Sequence, residues 1–89
     1  MPTKRNNAMA TRLQVQYVPD SAKLDMGFLV RAGHRDLTPG KTYSAQRPKF
    51  GEINPHGLRV VHSDELWIDA DDKGEAVVTR LGYGFQLVQ

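Results

Sequence analysis

Turn-forming residues interrupt this chain at short intervals, and that spacing constrains the fold more than any other feature. Pro19-Asp20-Ser21, Pro39-Gly40, Pro48, Gly51, Pro55, Gly57, the Asp71-Asp72-Lys73-Gly74 run and Gly82-Tyr83-Gly84 leave only short segments between them. Proline locks φ and removes a backbone donor, and glycine supplies positive φ, so regular elements end at such points. Leu13-Gln14-Val15-Gln16-Tyr17 alternates apolar and polar residues strictly, the pattern of a half-buried strand. Further short strands are expected over 41–46, 58–61, 65–69, 76–79 and 85–88. Leu24 and Phe28 have helix-like spacing, but Gly27 and the short length argue for an irregular loop over 22–30 whose apolar residues tuck onto the core. Residues 31–36 read as a polar loop. Six short strands without a stable helix predict an all-β fold, a small barrel or roll of five to six antiparallel strands.

Size and composition set the limits. Leu, Ile, Val and Phe make up 21 of the 89 residues, just above the roughly 20% below which chains tend to disorder. One domain with one modest core is expected over 12–89, preceded by a flexible basic arm over 1–11. The chain has no cysteine, which excludes disulfides and cysteine-ligated zinc. Its longest apolar run, 26–30, is far short of the roughly 20 residues of a membrane helix. Lys4 and Arg5 are followed by no apolar stretch of the secretory kind, so a cytoplasmic location is expected. The net charge of +2 hides an asymmetry. Residues 1–47 carry eight Lys and Arg against three acids, whereas 48–89 carry four against seven. Such a swing points to binding, although strands from both halves interleave in a barrel.

Catalytic chemistry finds little support. His34, His56 and His62 include no close ligand pair, so they read as exposed loop histidines and no metal is expected. Asp69, Asp71 and Asp72 surround a hairpin turn, where Asp bonds the local backbone and stays solvated. The paired acids Asp64-Glu65 are likewise expected to have no acid–base role. Ser21, Ser44 and Ser63 lack a nucleophile's setting. Gly40-Lys41-Thr42 resembles the end of a phosphate-binding loop, but the glycine required at position 35 is Arg35. The expectation is no enzyme and no cofactor. Two binding surfaces remain. Arg31, Arg35, Lys41, Arg47 and Lys49, with Phe50 as a stacking ring, are candidates for nucleic acid. Phe50 and Trp67, flanked by Arg47 and Lys49, are candidate anchors for a protein partner. Trp67 lies opposite Leu66 and Ile68, so it either fills a second side of the core or stands exposed. The expected core is Leu13, Val15, Tyr17, Tyr43, Val60, Leu66, Ile68, Val77, Leu81, Phe85 and Leu87.

Three segments together resemble a known type of protein. Leu37-Thr-Pro-Gly-Lys-Thr-Tyr43, then Asp71-Asp-Lys-Gly-Glu75, then Leu81-Gly-Tyr-Gly-Phe-Gln-Leu-Val88 are similar to the strand start, distal hairpin and closing strand of small SH3-like β-barrel proteins encoded by bacteriophages and prophages. The resemblance spans about residues 13–88 and rests on turn and core motifs. It implies an SH3-like barrel with a long first loop over 18–40 and a 3₁₀ turn at 82–84. It also implies an accessory protein that binds and modulates a host protein. Residues 58–61 and their proline-rich approach depart from the pattern as an added hairpin. A sequence-tolerant nucleic-acid binder and a self-associating virion subunit are the alternatives.

Overall fold

The computed structural model describes residues 11–88. Five antiparallel strands, β1 (Thr11–Tyr17), β2 (Thr42–Arg47), β3 (Glu65–Ile68), β4 (Val77–Arg80) and β5 (Phe85–Val88), form one sheet in the order β4-β3-β2-β1-β5. β1 pairs with β2 from Thr11↔Arg47 to Gln16↔Thr42, and with β5 from Gln14↔Val88 to Tyr17↔Phe85. A long loop joins β1 to β2, a hairpin joins β3 to β4, and a 3₁₀ turn over Leu81–Tyr83 returns the chain to β1's other edge. This is the order and connectivity of a small SH3-like barrel. Thr11 and Arg12 already belong to β1, so the strand starts before the alternation that announces it. The rest of the expected N-terminal arm, residues 1–10, lies outside the described residues.

Alternation selects the core. Val15 and Tyr17 of β1, Tyr43 and Ala45 of β2, Leu66 and Ile68 of β3, Val77 of β4 and Phe85 of β5 form one buried cluster with Leu37. Leu13, Leu81 and Tyr83 are partly buried against it. Burying each large apolar side chain contributes about 1.5–3 kcal/mol. The two anticipated turns form as their residues dictate. Gly40 has φ 87° and the Lys41 N–H donates to the Thr38 carbonyl at 3.1 Å, the geometry of a type II turn. In the β3–β4 hairpin, the Asp71 carboxylate accepts the N–H groups of Lys73 and Glu75.

Four expectations are corrected. The irregular loop over 22–30 contains a helical turn, Met26–Leu29, that widens over Val30–His34 before Gly33 leaves helical geometry at φ 101°. Asp25 caps it by accepting the Phe28 N–H at 3.2 Å, and Leu29 is fully buried. The absent Cβ of Gly27 leaves room for that cap, because a Cβ there would lie 2.8 Å from the Asp25 carboxylate. Residues 58–61 form no strand. One bridge, Ile53↔Arg59, and the buried Val60 are all that the alternation there produces. Leu87 is 52% exposed: it pairs with the buried Val15 but lies on β5, an edge strand with no neighbouring strand to cover its other flank. His34 is not an exposed loop histidine but is 2% exposed, drawn inward by hydroxyl partners.

Candidate binding surface

The connection between β2 and β3 is built rather than loose. Asn54-Pro55-His56-Gly57 reverses the chain, with Pro55 at the second position and Gly57 at φ 85° at the fourth. The Gly57 N–H donates to the Asn54 carbonyl at 2.9 Å, and the Asn54 N–H donates to the Leu58 carbonyl at 2.7 Å. Gly51 N–H to Val60 carbonyl (3.0 Å) and Val60 N–H to Glu52 carbonyl (2.7 Å) close the base. The buried Asn54 side chain accepts the N–H groups of both His56 and Leu58. The result is a two-armed ribbon, without regular strands, bonded at its tip and its base.

Val60 turns inward from this ribbon, and the larger apolar residues do not. Phe50 is 76% exposed, Leu58 66%, Val61 58% and Ile53 53%. Four exposed apolar side chains thus fall within twelve residues, with Ile53 beside Arg59 on one side of the loop and Leu58 on the other. Of the expected protein-binding residues, Phe50 stands fully available on this loop and Lys49 beside it is exposed. Arg47 is partly buried, its guanidinium donating to the carbonyls of Ser63 (2.8 Å) and Glu65 (3.2 Å). Trp67 is half-buried, neither core nor free anchor, and its indole N–H donates to Glu65 Oε2 at 2.8 Å. Ile53, Leu58 and Val61 were not among the expected contact residues. The signal for them was the Asn-Pro-His-Gly turn, which places short arms on either side of it.

The five basic residues expected to face nucleic acid are not brought together. Lys41 precedes β2 and Arg47 ends it, some 20 Å apart at about 3.3 Å per residue. Arg31 and Arg35 lie in the first loop, on the turn whose Gly33 faces Val77 at the distal end of β4. Lys41 is also engaged: its Nζ lies 2.6 Å from Asp72 Oδ1. Asp72 further accepts the hydroxyls of Thr38 (2.6 Å) and Tyr43 (3.0 Å). These bonds, led by that from Lys41, push its pKa down to about 2 and raise that of Lys41. The group ties the first loop to the β3–β4 hairpin, where the Asp72 N–H also donates to the Asp36 carbonyl at 2.9 Å.

A concavity of about 560 Å³ lies beside β1 and β5, between Pro19, Met26, Pro39 and Gln86. Asp20 is the one carboxylate on its wall, so it assembles no pair of carboxylates. No group of three or more potential metal ligands occurs among the described residues, and none of their helices is long and apolar enough to cross a membrane. No family model, curated protein or solved structure matches the chain.

Proposed function

We propose that this chain is a non-enzymatic binding module, a phage or prophage accessory protein that engages and modulates a host protein in the bacterial cytoplasm. The observation that carries the reading is the stapled 51–60 ribbon with Phe50, Ile53, Leu58 and Val61 exposed on and beside it. Its bonds hold the backbone over 51–60 in place before any partner arrives, which lowers the entropy lost on binding. Aliphatic residues favour a protein over a nucleic acid, since only Phe50 of the four offers a ring for base stacking. The separation of Arg31, Arg35 and Lys41 from Arg47 and Lys49 weighs in the same direction. The phage assignment rests on the similarity of the 37–43, 71–75 and 81–88 segments to phage SH3-like barrels. A pull-down from nuclease-treated bacterial lysate tests the proposal: a stoichiometric protein is expected, and recovery of nucleic acid alone from untreated lysate would overturn it.

A further inference from the structure

The two edges of the sheet are finished differently. β4, at one edge, carries the charged Arg80 and packs against the first loop through Val77 and Thr79. β5, at the other, carries no charged side chain, and none stands anywhere from Leu81 to Gln89. The direction of its backbone groups follows from β1. The Tyr17 N–H donates to the Lys41 carbonyl at 3.0 Å and the Tyr17 carbonyl accepts the Gly40 N–H at 2.7 Å, so Tyr17 spends its main chain on the β2 side. Main-chain groups alternate sides along a strand. Gln14 and Gln16 therefore turn theirs towards β5, as Val18 does in donating to the Gly84 carbonyl at 2.6 Å. Their register partners Val88 and Gln86 are the bonded residues of β5. Leu87, between them, points its N–H and C=O away from the sheet. Leu87 is also half-exposed, and Val88 beside it is exposed. The edge thus lacks the charge or proline with which such strands are commonly guarded.

An open edge of this kind takes an extended chain, whose backbone supplies the missing donor and acceptor. We propose that this chain is β5 of a second copy, paired antiparallel about a two-fold axis at Leu87. In that register the Leu87 N–H of each copy donates to the Leu87 carbonyl of the other. Residues directly opposite share a face of the sheet, so the two half-exposed leucine side chains cover one another. On the other face Val88 of one copy stands opposite Gln86 of the other, beside the concavity that Gln86 lines with Pro19 and Met26. The charge pattern selects this occupant. A two-fold pairing sets the strand against itself, which like charges would oppose, and β5 has none to oppose it. The same lack of charge leaves β5 nothing with which to select a foreign strand by electrostatic complementarity. Residues 1–10 of the same chain suit the place poorly, because Pro2, Lys4, Asn6 and Asn7 are residue types that strands disfavour.

Sedimentation equilibrium of the full chain tests this. The contact is small, so a dissociation constant of roughly 0.1–1 mM is expected, with at least half of the protein dimeric at about 1 mM. Leu87→Lys sets like charges across the axis and should weaken the dimer by about tenfold or more. Leu87→Pro removes the outward N–H at a position where an edge strand tolerates proline, and should weaken it similarly. Neither substitution removes a β1–β5 bond, since Gln86 and Val88 make those. Matching circular dichroism identifies folded variants, and Leu87→Lys alone decides the matter if Leu87→Pro does not fold. Exchange of the Leu87 amide should also slow as the protein is concentrated. A chain that stays monomeric at about 1 mM, a dimer that survives Leu87→Lys, or a dimer lost in Phe50→Ser/Leu58→Ser but not in Leu87→Lys would each overturn the proposal.

Discussion

His34 Nε2 lies 2.7 Å from the Thr79 hydroxyl in β4, while Nδ1 of the same ring lies 3.1 Å from the Tyr17 hydroxyl at the end of β1. One imidazole thereby joins the long first loop to two strands of the sheet. In the neutral ring one nitrogen donates and the other accepts, and each hydroxyl takes the complementary part. The rings of Tyr17 and Phe85 meet it at centroid distances of 5.2 and 5.4 Å, and Tyr83 at 6.4 Å. None of these neighbours carries a carboxylate that would stabilise an imidazolium. Burial accordingly pushes the His34 pKa down to about 4.

This makes stability depend on pH in a defined window. The folded state prefers neutral His34, so its contribution is complete above the ordinary value of 6.5 and declines as pH falls towards 4. A difference of that size corresponds to roughly 3 kcal/mol. Urea midpoints should fall steadily from pH 7 to pH 4.5. The substitution His34→Leu should cost about 2 kcal/mol at pH 7, by leaving two buried hydroxyls without their partner, and should flatten the pH dependence. A wild-type midpoint that does not move between pH 7 and 4.5 would contradict the neutral, buried ring.

Gly84 and Gly40 both adopt positive φ, at 101° and 87°, yet they should respond differently to alanine. A Cβ on Gly84 would meet the Pro19 Cα at 2.8 Å and the Val18 carbonyl oxygen at 3.2 Å, whereas a Cβ on Gly40 meets nothing within 4 Å. Gly40→Ala pays only for the backbone conformation, about 1 kcal/mol. Gly84→Ala adds a backbone clash where the 3₁₀ turn enters β5, and the Val18 N–H to Gly84 carbonyl bond of 2.6 Å is at risk with it. Chemical denaturation should rank Gly84→Ala well below Gly40→Ala, by about 2 kcal/mol or more.

Asp72 should act as a clasp between the first loop and the β3–β4 hairpin. Asp72→Ala removes the acceptor for Thr38, Lys41 and Tyr43. The Tyr43 hydroxyl also accepts the Thr38 N–H at 2.7 Å, so the loop base loosens with it. Hydrogen exchange should speed at Thr38, Lys41 and Asp72 while the paired amides of β1 and β2 keep their protection. Because the folded pKa is about 2 against an ordinary 3.8, the clasp is fully present above pH 3.8 and is lost as pH falls towards 2. Its window therefore lies below that of His34.

The sheet was legible where residues act locally. The Leu13–Tyr17 alternation, the Pro39-Gly40 turn and the Asp71–Gly74 turn each determine conformation through their own φ or hydrogen-bonding preferences, and β1, β2, β3, β4 and β5 follow. What was hidden depends on distant partners. Asp25 can cap a turn anywhere, and only the packing of Leu29 makes a four-residue helix worth forming. A histidine between Gly33 and Arg35 reads as solvated until Tyr17 and Thr79, remote in sequence, arrive on either side. The candidate surface was half visible. Phe50 and Lys49 stood out as an aromatic beside a cation, but Ile53, Leu58 and Val61 did not, because alternation does not say which face is covered. Among 58–61, Val60 alone turned inward.

The most direct test of the ribbon as the functional surface is a side-by-side capture of lysate protein by the wild-type chain and by Phe50→Ser/Leu58→Ser, with Asp71→Asn as a control at the far end of the sheet. All three should be shown folded by matching circular dichroism before capture. The account predicts that wild type and Asp71→Asn retain the same protein partner and that the ribbon variant retains less than about a tenth of it, a loss of at least 1.4 kcal/mol. Equal recovery by the folded ribbon variant would contradict it.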